Sequence, residues 1–338
     1  MAMTIYDISK KAGVSIATVS RVLNGSENVR PSTRKKVMDV IDKYDYTPNA
    51  FARGMGLHSL KTIGILCADS SDLFLAKAVY FLEQELQANG YESLLCCTGY
   101  NPDIKKNYLN LILSKKVDSI ILVGSHFIGF NEDENQYIKD VSTQVPIMLL
   151  NASFDHPNVY STLCDDYGTM FEAATEMIQS GITDILYLYD SKSYSGLKKL
   201  HGFCDAMKEY NIPGFEKLIH FYDGNIEHLN EVADFVARIA TKGTSFHGIM
   251  TSDDSLAIGS IKYAQKKGIR IPEELSVMGY NNSMLTNCFT PELTSVDNRL
   301  ETQTHQLVQT LLGVLAGEEM PKKSIFSGKI IKRGTTLF

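Results

Sequence analysis

The chain contains 338 residues, of which 44% are apolar and 21% are charged, and its formal net charge is −6. This composition predicts a globular protein with two or three compact cores and excludes an intrinsically disordered chain. The amino terminus, "MAMTIYDISKK", lacks the apolar run of a secretory signal, and no run approaches the roughly 18 apolar residues that cross a bilayer. We therefore expect a cytoplasmic protein without a membrane partner.

The charge is unevenly distributed along the chain. Residues 1–61 contain ten Lys or Arg residues and five Asp or Glu residues, so this segment has a net charge of +5. The rest of the chain therefore has a net charge of −11. A basic segment attracts phosphate groups, whereas an acidic body discourages nonspecific adhesion to them. The distribution indicates that the amino-terminal segment is the part suited to nucleic acid.

The first 47 residues predict three short helices. Thr4 and Asp7 have the pattern of a capping box, and apolar residues follow at helical spacing. Ser15 is a favourable N-cap for a second helix that ends near Asn24, and Pro31 suits the first position of a third helix. Two helices joined by a tight turn, with a third closing the core, predict a helix-turn-helix domain. The predicted inward side chains are Ile5, Ile8, Ala12, Val19, Val22, Leu23, Val37, Val40, Ile41 and Tyr44.

The next segment predicts a hinge. Pro48 breaks the preceding structure, and a short helix is compatible with residues 49–57. Gly54 and Gly56 would each cost that helix about 1 kcal/mol relative to Ala, and single helices of this length are marginal in water. We expect residues 48–61 to be poorly ordered when the protein is not bound to a partner.

From residue 62 the pattern changes to apolar runs that alternate with amphipathic helices. The strand-like runs are "TIGILCAD", "ESLLCCT", "VDSIILVG", "VPIMLLN", "TDILYLYD", "KLIHFYD", "HGIMTSDD" and "ELSVMGYNN", and the later helices lie near 166–180, 196–210, 228–241 and 254–267. Continuous apolar strands between helices predict parallel sheets that are covered on both faces. Two such series predict an α/β protein with two similar lobes.

Ligands of such sheets bind beyond the carboxyl ends of the strands, so the residues that follow each strand should line a cleft. These residues are mostly acids and amides: Asp69 to Leu75, Gly124 to His126, Asn151, Asp190 to Ser195, Asp253, Asp254, Asn281 and Asn282.

An enzyme is a remote alternative. Asp253 and Asp254 are candidate paired carboxylates, but adjacent residues that leave a strand usually point apart. The sequence contains no GxxxxGK[ST] loop, HExxH pair or GxSxG elbow. The six cysteines show no CxxC pair and no regular spacing with histidine, which favours reduced, buried thiols. We expect no catalytic residue, no metal site and no cofactor.

From end to end, the chain closely resembles the lactose repressor (LacI/GalR) family of bacterial transcription regulators. "TIYDISKKAGVSIATVSRVLNG" is similar to the family's DNA-binding signature and "YTPNAFAR" to its hinge. "TIGILCADSSDLFLA", "TSDDSLAIG" and "IPEELSVMGYNN" are similar to segments of its effector domain, and "KRGTT" is similar to its last strand. The resemblance implies a homodimeric regulator, acting as a repressor, that binds double-stranded palindromic operator DNA and a small-molecule effector, often a sugar or sugar derivative.

The resemblance also implies the domain organisation. A helix-turn-helix domain spans 1–47, a hinge spans 48–61, and a periplasmic-binding-protein-like effector domain spans 62–338. In that fold the chain crosses between the lobes three times, which we place near 163, 291 and 322. Lobe one then comprises 62–163 and 292–321, and lobe two comprises 164–291 and 322–338.

The resemblance assigns DNA-contact residues by position. Ile16, Ala17 and Arg21 occupy positions that read base edges, where Arg21 can contact a guanine through two hydrogen bonds. Met55 stands where the family inserts an apolar side chain into a central minor-groove step. The other assigned positions are Ser15, Thr18, Ser20 and Asn24, with Asn49 and Arg53 in the hinge. We expect hinge helicity only on operator DNA, seen as hydrogen-exchange protection of 49–57 that requires the operator.

Effector-contact residues are assigned in the same way: Asp69, Phe74, Ser125, Asn151, Lys199, Tyr222, Asp253 and Asn281. Several depart from the family pattern. Lys199 stands where Arg is frequent and loses the planar fork of that side chain. Asn151 and Asn281 replace Asp, which removes charge and adds donors, while Asp253 replaces Asn. Phe74 is suited to stacking on the apolar face of a sugar.

The sequence leaves alternative hypotheses open about the effector and the class of protein. One alternative is a purine-like corepressor as the effector. Another is control by a protein partner, since some relatives respond to a phosphocarrier protein bound through arginines near residues 299–316, where this chain has Arg299 alone. A periplasmic solute-binding protein would share the two lobes, but it would not require the amino-terminal segment of residues 1–57. The mechanism that we expect is a population shift, in which the effector favours one lobe angle and thereby changes the stability of the hinge on DNA.

Overall fold

The computed structural model describes residues 3–23, 26, 28–46, 59–241, 243 and 245–338. The predicted DNA-contact residues Asn24, Asn49, Arg53 and Met55 lie outside the described residues, as does most of the predicted hinge. The chain divides into two compact units. One ends at Thr62 and includes Lys116–Asp118, and the other comprises the rest of the chain.

The amino-terminal unit contains helices α1 (Ile5–Ala12), α2 (Ile16–Leu23) and α3 (Pro31–Lys43). The predicted capping box of α1 is confirmed, because the Thr4 hydroxyl accepts the Asp7 N–H and the Asp7 carboxylate accepts the Thr4 N–H at 3.0 Å. Gly13 ends α1 with a φ of 62°, a conformation that glycine adopts without strain. The Ser15 hydroxyl accepts the Thr18 N–H at 3.2 Å, as expected of an N-cap.

The three helices share one apolar core. Its buried side chains are Ile8, Ala12, Val19, Val22, Val29, Val37, Ile41 and Tyr46. The prediction for Tyr44 is wrong, because its side chain is 39% exposed. The Lys11 ammonium lies 4.3 Å from the centre of its ring, so the ring holds a cation at the surface.

The second unit contains two α/β lobes. The strands of lobe one are β1 (Thr62–Cys67), β2 (Glu92–Cys97), β3 (Ser119–Val123), β4 (Ile147–Leu150), β5 (Val159–Cys164) and β11 (Lys323–Phe326). They form a sheet in the order β11-β5-β4-β3-β1-β2. The helices of this lobe are α4 (Leu73–Ala88), α5 (Pro102–Ser114), α6 (Gln136–Ser142) and α11 (Leu300–Leu315). Apolar residues of β1, β3 and β4 pack with those of α4 and α11 in one buried cluster.

Lobe two repeats this architecture. Its strands are β6 (Ile185–Tyr189), β7 (Ile219–Phe221), β8 (Gly248–Thr251), β9 (Ser276–Tyr280), β10 (Thr294–Asp297) and β12 (Lys329–Ile331), in the order β12-β10-β9-β8-β6-β7. Its helices are α7 (Asp166–Gln179), α8 (Tyr194–Glu209), α9 (Leu229–Thr241) and α10 (Asp254–Lys267). The β6–β7, β6–β8, β8–β9 and β9–β10 pairs are parallel, and the β10–β12 pair is antiparallel. The predicted two-lobed α/β fold is confirmed.

The crossings between the lobes differ in part from the prediction. The first follows β5, near the predicted residue 163. The second follows β10 rather than residue 291, because Leu293 and Val296 bury their side chains in lobe two. The turn comes afterwards, where Asp297 accepts the Arg299 N–H at 2.7 Å. The third lies between β11 and β12 rather than near 322, because β11 pairs with β5 of lobe one.

The segment "KRGTT", expected to be the last strand, is also placed differently. The last strand is β12, and residues 332–336 follow it as a turn. The threonines of this turn bind the neighbouring strands, because the Thr335 hydroxyl accepts the Thr294 N–H at 2.8 Å and donates to the Val277 carbonyl at 2.7 Å. These hydrogen bonds replace the ladder that a further strand would form.

Candidate functional site

The predicted base-reading residues lie on the exposed side of α2. Ile16, Ala17 and Arg21 are exposed, whereas Val19 and Val22 on the opposite side are buried. Helical periodicity explains this division, because the apolar stripe of α2 packs against α1 and α3. The helix therefore presents one guanidinium and two short apolar side chains to solvent.

Of the described phosphate-contact candidates, Ser15 and Thr18 lie at the start of α2, and Ser20 lies further along the helix. Ser15 is exposed, and its hydroxyl lies 2.9 Å from that of Thr18, while Thr18 and Ser20 are half-buried. Hydroxyls and backbone N–H groups at a helix start are suited to phosphate oxygens.

Three adjoining cavities lie between the two lobes. The main cavity has a volume of about 680 Å³ and is lined from lobe one by residues such as Asp69 and Asp72, and from lobe two by residues such as Tyr222 and Asp253. A polar recess of about 90 Å³ adjoins it, and a side chamber of about 390 Å³ lies beyond Tyr100. The main cavity falls within the usual size range of small-molecule sites, roughly 300–1,000 Å³.

All eight predicted effector residues line the first two of these cavities. Asp69, Tyr222 and Asp253 line the main cavity, and Phe74, Ser125, Asn151, Lys199, Asp253 and Asn281 line the polar recess. Six of them directly follow or lie just beyond parallel strands, whose carboxyl ends meet at one edge of each sheet. The other two, Phe74 and Lys199, come from α4 and α8.

Carboxylates from both lobes meet in the cleft. Asp72 caps α4, and its carboxylate accepts the Leu75 N–H at 2.8 Å. Burial, and then the negative charge of Asp253, raise the pKa of Asp72 to about 6 against the opposing hydrogen bond. Burial, and then the charge of Asp190, also raise the pKa of Asp253. Asp253 is held in place because it accepts the Asn281 amide N–H at 2.8 Å and the Ser255 N–H at 2.7 Å.

Lys199 is the cation of the polar recess. Its side chain is buried, and its ammonium donates to the Ser252 carbonyl at 3.0 Å and lies 3.9 Å from the centre of the Tyr280 ring. Within the described part of the chain, no carboxylate oxygen lies within 4.0 Å of this ammonium. After its contacts with the Ser252 carbonyl and the Tyr280 ring, the ammonium still has donor capacity for a ligand oxygen.

Tyr280 joins Lys199 to a buried network beneath the recess. The Tyr280 hydroxyl donates to Asp166 at 2.6 Å, and the Ser195 hydroxyl donates to the other oxygen of the same carboxylate at 2.5 Å. This network connects β9, α7 and α8 through buried hydrogen bonds beneath the recess.

Serine and histidine side chains bridge the two lobes. The Ser125 hydroxyl of lobe one donates to that of Ser193 in lobe two at 2.8 Å. His126 Nε2 lies 3.4 Å from the Ser191 hydroxyl. Burial, and then the nearby Lys105 ammonium, lower the pKa of His126 to about 4, so the imidazole is neutral at neutral pH. A neutral imidazole has one donor and one acceptor nitrogen.

Some lining residues were not found from the sequence. Tyr100 lines all three cavities and lies edge-on to His126, with 4.8 Å between the ring centres. It follows β2, so the rule that strand ends line the cleft was sufficient to find it. Residues 223–227 also line the main cavity, but they follow the three-residue strand β7, whose weak pattern gave no reliable position.

Asp254 is separate from Asp253. Its carboxylate accepts the Ser295 hydroxyl and the Ser283 N–H, each at 2.6 Å, and the side chain is 1% exposed. It does not line the described cavities. The two carboxylates point apart, as expected for neighbours at the end of a strand, and they form no catalytic pair.

Comparison with known proteins identifies the family. Residues 4–49 match the bacterial regulatory proteins of the lacI family, and residues 174–336 match the periplasmic binding protein-like domain. An HTH-type transcriptional regulator of Lachnoclostridium phytofermentans is 49% identical over 336 residues, which cover 99% of this chain and 100% of the relative. The chain belongs to the lacI family of bacterial regulatory proteins. It is a DNA-binding transcriptional regulator and not an enzyme.

Solved structures show the same fold. The lac repressor dimer bound to operator and the anti-inducer ONPF has a TM-score of 0.89, is 20% identical, and both chains are covered to 100%. The transcriptional regulator CelR in complex with cellobiose has a TM-score of 0.71 and is 20% identical, with 98% of this chain and 99% of that chain covered. Within the described residues of this lacI-family chain, no helix is long and apolar enough to cross a membrane.

Proposed function

We propose that the protein is a cytoplasmic homodimer that represses transcription from a palindromic operator and responds to a sugar or sugar derivative bound between its lobes. The observation that carries this proposal is the cleft itself, where all eight assigned effector residues line two adjoining cavities. The similarity to a repressor solved as a dimer on its operator, and to a regulator solved with cellobiose, supports it.

The DNA-binding step rests on α2 of each subunit. Arg21 would bind a guanine in the major groove, while Ile16 and Ala17 would contact thymine methyl groups. Ser15, Thr18 and Ser20, together with Asn24, would hold phosphates and fix the register. Asn49, Arg53 and Met55, outside the described residues, would contact the minor groove between the half-sites. A dimer reads two half-sites with matching symmetry, so a palindrome is the expected target.

The effector-binding step rests on oxygen-rich side chains beside aromatic rings. Asp69, Asp253, Asn151, Asn281 and Ser125 would accept or donate hydrogen bonds to hydroxyl groups, with Lys199 as a donor. Phe74 would cover an apolar sugar face. Tyr222 is 4% exposed and its ring packs edge-on against Phe235 at 5.2 Å, so we assign it a role in shaping the wall.

Operator release in the presence of sugars tests this function. The full-length protein would first select its operator from a random DNA pool, and its affinity for that operator would then be measured with and without monosaccharides and oligosaccharides. Release by a sugar supports the proposal. Indifference to every sugar contradicts it and favours the alternatives, which are a purine-like corepressor or a protein partner.

A matched pair of lysine variants separates the cleft from the surface. Lys199→Met removes the buried ammonium of the recess, whereas Lys198→Met removes an exposed ammonium one residue away. We expect the first to weaken effector binding by about tenfold or more, the size of a lost hydrogen bond to a charged group, and the second to change it less than about twofold. Equal effects of the two substitutions would contradict the role of Lys199.

A further inference from the structure

The side chamber continues the cleft past the main cavity. The two spaces share Tyr100, His126, Asp190 and Ser191 as lining residues, so they adjoin at these four side chains. The main cavity of about 680 Å³ and the chamber of about 390 Å³ are each large enough for a small ligand. A single sugar ring cannot occupy both.

The chamber has an aromatic wall from lobe one. Phe130 lines it with a side chain that is 72% exposed, and Tyr100, which is 51% exposed, stands at the junction with the main cavity. Exposed aromatic rings that converge on one concave space are characteristic of binding sites, because each ring has an apolar face that water solvates poorly.

The loop that presents Phe130 is firmly held. The Phe130 N–H donates to Glu134 at 2.8 Å, and the Gly129 N–H donates to Asn135 at 2.8 Å. Asn135 is itself buried, and its amide donates to the Asn131 carbonyl at 2.9 Å. The exposed Phe130 ring therefore belongs to a loop whose backbone is already ordered, which reduces the entropy that the loop loses on binding.

The opposite wall of the chamber comes from lobe two and is polar. Asp190, Ser191, Lys192 and Ser193 line it. The Ser191 hydroxyl donates to that of Ser193 at 2.9 Å, and the Lys192 ammonium lies 4.8 Å from the centre of the Phe221 ring, which lines the main cavity. A flat apolar surface on one side and hydrogen-bonding groups on the other match the chemistry of a pyranose, which has apolar C–H faces and hydroxyl edges.

We propose that the side chamber is a second sugar subsite, so that the effector is an oligosaccharide of two or more units. One unit occupies the main cavity, the chain passes the Tyr100 ring, and the next unit stacks on Phe130. This inference rests on the proposed function in one respect, which is that the effector is a carbohydrate.

A chain-length series tests the subsite with the full-length protein. Calorimetric titration would compare glucose, xylose, mannose and galactose with cellobiose, xylobiose, mannobiose, maltose and lactose, and with cellotriose, xylotriose, mannotriose and maltotriose. We expect at least one disaccharide to bind roughly tenfold tighter than its monosaccharide. Phe130→Ala should lower the affinity for that disaccharide by about 3- to 10-fold and leave the affinity for the monosaccharide unchanged within about twofold.

Phe130→Tyr is the matched control, because it keeps the ring and should keep the gain. A second readout is hydrogen exchange, where residues 128–135 should gain protection with the disaccharide but not with the monosaccharide. Two results overturn the second subsite but leave the proposed function intact. One is a monosaccharide that binds as tightly as its oligomers. The other is a Phe130→Ala variant that loses equal affinity for the monosaccharide and the disaccharide. If no sugar of the series binds, the proposed function and the subsite both fail.

Discussion

Asp254→Asn should change the pH dependence of stability in a defined direction. Asp254 begins α10 and is buried between the Ser295 hydroxyl and the Ser283 N–H. Burial, and then the charge of neighbouring Asp253, raise the pKa of Asp254 from 3.8 to about 7. The asparagine has the same shape, since its carbonyl oxygen can accept the Ser283 N–H while its amide donates to the Ser295 hydroxyl.

The sign and size of the effect follow from proton linkage. A carboxyl group with a raised pKa contributes stability that is fully present below its unfolded pKa of 3.8 and is lost as the pH rises through about 7. Each pKa unit corresponds to about 1.4 kcal/mol, so the total loss is at most about 4 kcal/mol. Between about pH 5 and about pH 8 the loss amounts to roughly 2–3 kcal/mol. Asp254→Asn has no such loss, because its amide does not titrate.

Urea unfolding at fixed protein concentration measures this effect. The chain contains no tryptophan, so far-UV circular dichroism is a suitable signal. The difference in free energy of unfolding between Asp254→Asn and wild type should increase in favour of the variant from about pH 5 to about pH 8. Asp103→Asn, an exposed carboxylate in the first turn of α5, is the control and should give a constant difference. A constant difference for Asp254→Asn as well would refute the assignment of a buried, high-pKa carboxyl group.

Three further substitutions address DNA reading and packing. Arg21→Ala should weaken operator binding by about 1–3 kcal/mol with a smaller effect on nonspecific DNA, and equal losses on both DNAs in a competition assay would exclude base reading. Tyr280→Phe should lower the free energy of unfolding by about 1–3 kcal/mol, because Asp166 loses a buried donor, and an unchanged urea midpoint would contradict this. Gly202→Ala should lower the free energy of unfolding by about 1–3 kcal/mol, since a Cβ there would collide with the Tyr167 carbonyl. A variant that unfolds at the wild-type urea midpoint would contradict this prediction.

The sequence predicted the elements whose pattern was strong. The apolar runs of β1, β3 and β9 and the periodic helices α7 and α10 lie where expected, because their side chains form the buried layers of each lobe. The second crossing was misplaced because β10 is short and reads "TSVD", with little apolar signal. β10 belongs to lobe two because Leu293 and Val296 pack in cores formed by residues distant in the sequence. A local sequence pattern does not contain this information.

The cleft residues were predictable to the extent that topology determines them. Asp69, Asn151, Asp253 and Asn281 follow parallel strands, and the direction of those strands alone brings them to one edge. The direction of the strands does not determine which of two neighbours faces the cleft, since Asp254 differs from Asp253 only by the alternation of side chains beyond β8. The choice of Asp253 came from the family resemblance. The side chamber was also not predicted, because it depends on the path of a loop rather than on a strand or helix.

The distribution of charge across the cleft gives a physical reason to expect that effector binding is coupled to the lobe angle. Asp72 belongs to lobe one and Asp253 to lobe two, and the negative charge of Asp253 contributes to the raised pKa of Asp72. The two carboxylates therefore repel each other whenever both are ionised. A sugar that donates hydroxyl hydrogens to both carboxylates replaces this repulsion with hydrogen bonds, and it can do so only at one separation of the lobes. Such a ligand binds the two lobe angles with different affinity, which is the condition for a population shift. A ligand that contacts one lobe alone lacks this difference and should therefore occupy the cleft without releasing the operator.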